Sequence, residues 1–117
     1  MSKLEFFSYD DVIKFACDCY DVEERDFRSR CREQTIAEAR FMAMYVLYDS
    51  VHMKISEIAR LLGREHCTVI YGIRKMRGLL ETDETARLNH DIILESCRAS
   101  LRKAELDEAV LIEESLE

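Results

Sequence analysis

The chain has 117 residues, 48% of them hydrophobic, no proline, three glycines and a formal net charge of −7. That length holds one domain with a real core, and that apolar content excludes wholesale disorder. No apolar run approaches the roughly 20 residues needed to cross a bilayer, and the amino end MSKLEFFSYDD lacks a secretory apolar core; a cytoplasmic location is expected.

With so few helix breakers and no Asn-Gly hairpin signal, the composition predicts an all-α protein. Ser8, followed by Tyr9-Asp10-Asp11, has the form of an N-cap with acids in the first turn. Val12, Phe15, Ala16 and Cys19 then recur at helical spacing, so a first helix runs to about Tyr20. Asp21-Val22-Glu23-Glu24 opens a short second helix through Phe27. Arg28 to Thr35 is polar and aperiodic, which reads as a basic loop. From Ile36 to about Ser50, the stripe Ile36, Ala39, Ala43, Met44 and Leu47 is thickened by Phe41, Met42, Tyr45 and Val46, which predicts a central core helix.

Ile55 to Leu62 reads as a short amphipathic helix ended by Gly63. A second helix follows from about Glu65 to Leu80, with Val69, Ile73, Met76 and Leu80 facing inward. Leu88, Ile92, Ile93, Cys97 and Leu101 continue a further amphipathic helix after Glu84. Residues 1–104 are expected to form the domain. Residues 105–117 carry no basic residue and are expected to be an acidic tail or terminal helix.

Five cysteines are an odd number at irregular spacings, and the Cys17/Cys19 pair has no second pair to complete a zinc site. Free thiols are expected, with no metal and no cofactor. His52 and His90 read as solvent or interface residues. His66 has no nucleophile or paired carboxylate placed to help it, and Cys67 beside it points about 100° away on a helix. The expectation is a binding protein, with no enzyme activity and no small-molecule substrate.

The charge is unevenly spread. Residues 25–77 hold 11 Lys/Arg against 6 Asp/Glu, a local net of +5, while the rest holds 6 against 18, a net of −12. A basic working surface flanked by acidic segments follows. Ala59, Gly63 and Val69 are spaced as in a helix-turn-helix: a small residue for close approach, a turn residue, and an apolar lock. In that motif the start of the second helix shows its side chains to base edges in the major groove. Glu65, His66, Cys67 and Thr68 hold that place. A carboxylate accepts from a cytosine amino group, a hydroxyl serves either base type, and a small apolar group meets a thymine methyl. Arg64, Arg74, Lys75 and Arg77 suit phosphate.

The stretch GREHCTVIYGIRKM resembles the signature of the bacterial replication initiator DnaA, commonly G-R-D-H-T-T-V followed by an Arg-Lys pair. Arg40-Phe41-Met42-Ala43-Met44-Tyr45 is similar to that family's R-x-x-A-M-Y/A segment. Tyr20–Val22 and the Arg30–Arg32 loop fall where its short second helix and basic loop lie, so the resemblance covers roughly Ser8 to Leu101. It implies a Trp-repressor-like helical bundle that binds double-stranded DNA, serving origin recognition, its regulation, or transcription. By the same resemblance, Glu65, His66, Cys67 and Thr68 face bases or phosphates, Arg32 reaches the minor groove, and Arg40 corresponds to the arginine that opens the central helix; Arg30 and Arg40 are expected to meet phosphate.

Three departures stand out. Glu65 and Cys67 replace Asp and Thr; Gly63 stands where the family usually has two glycines, which implies a shorter turn; and Glu33, Gln34 and Glu38 dilute the basic loop. The chain has no G-x-x-x-x-G-K-[ST] phosphate loop, so a free-standing DNA-binding domain is expected. The rival reading is a protein-interaction module that binds or mimics the initiator without touching DNA. The carboxyl-terminal helix is the expected place for a homodimer or protein-partner contact.

Overall fold

A chain without proline can run its helices to the limits set by local caps and turns, and this one does. The computed structural model describes residues 9–116, and the side-chain surroundings of residues 9–107. Six helices follow in order: α1 (Tyr9–Tyr20), α2 (Glu24–Arg28), α3 (Gln34–Asp49), α4 (Ile55–Leu62), α5 (His66–Thr82) and α6 (Glu84–Leu116). The described residues contain no strand. The expected Ser8 cap lies outside the described residues.

Helix α3 is the centre, as its nearly all-round apolar surface predicts. It packs against each of the other five helices. Ala39, Met42, Ala43, Met44, Val46 and Leu47 are all buried there. Val12, Ile13 and Ala16 of α1 close the core on one side, and Ile58, Val69, Ile73 and Met76 of α4 and α5 close it on another.

The breaks between helices have local causes. Asp21 takes a left-handed φ of 54° at the end of α1, and the Val22 N–H turns back to the Cys17 carbonyl at 2.9 Å. Gly63 does the same for α4 with φ 63°, a conformation that costs little only without a Cβ. Asp83 separates α5 from α6: its carboxylate accepts the Thr85 N–H at 2.9 Å and so caps α6.

Packing against α1, α5 and α3 decides which side of α6 is buried. Ala86, Ile93 and Cys97 are buried, and Leu101 packs partly against the core. Leu88 and Ile92, read in the sequence with Ile93, Cys97 and Leu101 as the apolar positions of this amphipathic helix, are 57% and 48% exposed. They sit on the outer side of the same helix. Helix α6 also runs unbroken through residue 105, so the tail continues the domain's last helix.

Candidate nucleic-acid interface

The helix-turn-helix is built from α4, the three residues Gly63-Arg64-Glu65, and α5. The Arg64 N–H reaches the Ala59 carbonyl at 2.9 Å and the Gly63 N–H reaches Arg60 at 3.3 Å, the paired bonds of a Schellman close. Ala59, Leu62 and Val69 are buried between the two helices and α3. Among the described residues, no side chain caps the amino end of α5. Its first N–H groups are therefore open to an external acceptor, and the helix dipole favours an anion there.

His66, Cys67 and Thr68, in the first turn of α5, are exposed, as is Glu65 just before it. The Cys67 thiol lies 3.6 Å from a Glu65 carboxylate oxygen. On the next turn stands Tyr71, 58% exposed, with its ring edge-on to Phe41 at 5.6 Å between centroids. Sequence reading missed Tyr71. The signal was present, because an aromatic one turn beyond Cys67 and Thr68 shares their face of the helix.

The loop between α2 and α3 is fixed by a single buried cation. Arg40 is 8% exposed. Its Nε donates to the Phe27 carbonyl at 2.7 Å, its Nη1 to Cys31 at 2.6 Å, and its Nη2 to Asp26 at 3.0 Å and Ser29 at 2.7 Å. The expectation that Arg40 meets phosphate is thereby corrected: its guanidinium is already committed to four carbonyls. Arg64 also donates through Nη2 to the Ser29 carbonyl. Burial pushes the Arg40 pKa down, and the Arg64 charge beside it adds to the shift. The two arginines clamp the loop onto the helix-turn-helix.

The clamp makes one groove of about 690 Å³. Its walls carry Arg30 and Arg32 from the loop, Arg64 and Glu65 from the turn, and Cys67, Thr68 and Tyr71 from α5. Arg30 and Arg32 are exposed there. His66 and Lys75 are exposed but lie outside this groove, and Arg74 lines a separate, smaller one with Tyr48, Ile55 and Arg77. The structure thus brings together the loop arginines and most of the recognition turn. It sets the Arg74 side of α5 apart.

Residues 9–76 match the family model for the bacterial dnaA protein helix-turn-helix. Similar proteins include chromosomal replication initiator proteins DnaA from several bacteria. The one from Jannaschia sp. is 35% identical over 75 residues, 63% of this chain, and the one from Ralstonia nicotianae is 33% identical over 86 residues, 73% of it. The one from Bacteroides thetaiotaomicron is 29% identical over 77 residues, 65% of this chain. The chain spans 16% of the length of each of these relatives. With the motif, the turn and the match in agreement over α1 to α5, the chain belongs to the bacterial DnaA helix-turn-helix family.

Proposed function

We propose that this chain binds double-stranded DNA, with the first turns of α5 in the major groove and the Arg30–Arg32 loop toward the neighbouring minor groove. The observation that carries the reading is the shared groove, in which loop arginines and Thr68 meet on one surface. Phosphate attraction supplies affinity, and base-edge contacts supply sequence preference. Glu65, His66, Cys67 and Thr68 are the base-reading residues, with Arg32 in the minor groove. Arg30, Arg64, Arg74 and Lys75 contact phosphate. The role is recognition, at a replication origin, in its regulation, or in transcription, with no chemistry performed on the DNA.

Binding to an origin-like duplex and to a random duplex, each at two salt concentrations, tests this reading. The expected result is tighter binding to one class of site and a steep fall in affinity with salt. Failure to bind either duplex at low salt would favour the rival, a protein-interaction module whose surface copies the initiator's. That rival draws on the acidic remainder of the chain, whose net charge outside residues 25–77 is −12.

A further inference from the structure

The family model's match ends at residue 76, before α6 begins at Glu84. This helix has 33 residues, about 50 Å at ~1.5 Å per residue, in a molecule 54 Å long and 30 × 28 Å across. Its first half rests on α1, α3 and α5. Every residue from 102 to 107 is exposed, so the helix leaves the bundle after Leu101. A helical segment without tertiary support is marginal in water.

The outer face of α6 has an order of its own. Leu88 and Leu106 are about five whole turns apart at ~3.6 residues per turn, so they share one azimuth. They are 57% and 66% exposed, and Ile92, one turn on from Leu88, is 48% exposed. Between them on the same face lie Glu95, Ala99 and Lys103, all exposed. The face is apolar at both ends, charged within, and small at its midpoint.

We propose that a second copy of this chain docks antiparallel along this face, on a two-fold axis at Ala99. In that register Ile92 lies level with Leu106 of the second copy, and Glu95 lies level with Lys103 of the second copy. The backbone of Leu88 lies level with that of Val110 of the second copy. The small, apolar Ala99 meets its own equivalent, which permits close approach at the axis. A two-fold contact must be self-complementary, and this sequence is so in charge as well as in apolar spacing. Parallel packing would instead set Glu95 beside Glu95 and Lys103 beside Lys103. The Glu95–Arg102 pair at 2.9 Å within each chain leaves carboxylate and guanidinium on that surface. A nucleic acid is a poor occupant, because residues 84–117 hold four basic and nine acidic side chains. The contact needs no DNA and stands apart from the DNA-binding reading.

Sedimentation of the full chain over a concentration series tests the dimer. A monomer–dimer equilibrium is expected. Ile92→Glu and Leu106→Glu should each raise its dissociation constant at least about tenfold, with the helical circular dichroism unchanged. Cross-linking tests the arrangement. In a Cys31→Ser/Cys67→Ser background, Ala99→Cys should form an intermolecular disulfide under mild oxidation, and Leu106→Cys should not pair with its own equivalent. A chain that stays monomeric at every concentration overturns the proposal. Faster self-coupling by Leu106→Cys than by Ala99→Cys overturns it too, because an antiparallel pair on an axis at Ala99 holds the two copies of position 106 about 21 Å apart at ~1.5 Å per residue.

Discussion

A guanidinium among apolar side chains destabilises a fold unless its N–H groups find acceptors, and Arg40 finds four. Its burial was legible in the sequence, because it falls between Ile36 and Ala43 on the stripe that also carries Leu47. What the sequence could not reveal was its set of acceptors, since carbonyls of an aperiodic loop leave no residue pattern. The distinction gives a prediction. Arg40→Ala should destabilise the protein by about 2–3 kcal/mol in urea unfolding, because it strands several half-buried carbonyls. Arg40→Lys should recover little, since a single ammonium cannot reproduce the planar fork. Arg32 is exposed and free of such duties, so Arg32→Ala should weaken DNA binding while leaving the unfolding midpoint unchanged within error. Equal loss of stability in the two variants would place the loop's anchor elsewhere.

Between helices, packing depends on which positions lack a side chain. A Cβ on Gly72 would stand 2.5 Å from the Met44 Sδ and 2.8 Å from the Phe41 Cδ1, so the glycine is what lets α5 settle on α3. At Gly78 the same atom would meet nothing within 4 Å. Alanine favours a helix over glycine by about 1 kcal/mol, and overpacking costs about 1–3 kcal/mol. Gly78→Ala should therefore stabilise the fold, and Gly72→Ala should destabilise it despite the better propensity. Opposite shifts in melting temperature check both. Sequence reading singled out Gly63 and left Gly72 unremarked, because turn chemistry is local whereas a close approach needs both helices.

The thiols report on the same packing. Burial pushes Cys17 and Cys97 from 9.0 up to about 11, with nearby carboxylates adding to it. A pKa raised in the folded state contributes stability below the unfolded value and loses it as pH climbs through the folded value. Stability should therefore fall between about pH 9 and pH 11, and Cys17→Ser/Cys97→Ser should flatten that fall. Cys31 and Cys67 are exposed and should react with a disulfide reagent in the native protein, before Cys17 and Cys97.

For the molecule as a whole, the order of the helices and the break at Gly63 follow from periodicity and turn chemistry. The phase of α6 does not. Leu88, Ile92 and Ile93 are all apolar, and one helix cannot turn all of them inward, so the fit to α1 and α5 decides which are buried. The inward line is Ala86, Ile93 and Cys97, and Leu88 and Ile92 are left for another surface.

The division of charge then links the two ends of the molecule. Residues 105–117 carry six acids and no base, against the basic groove on the other helices. Removing them does two things that separate experimentally. It takes away negative charge that opposes DNA, so affinity for a duplex with one binding site should rise, most at low salt where screening is weak. It also takes away Leu106 and half of the proposed two-fold contact. Sedimentation should then show only monomers, and a duplex with two inverted sites should lose the advantage that paired binding confers. Affinity that rises equally on both duplexes would make the segment a source of repulsion and nothing more. Affinity that changes on neither would detach it from DNA binding altogether.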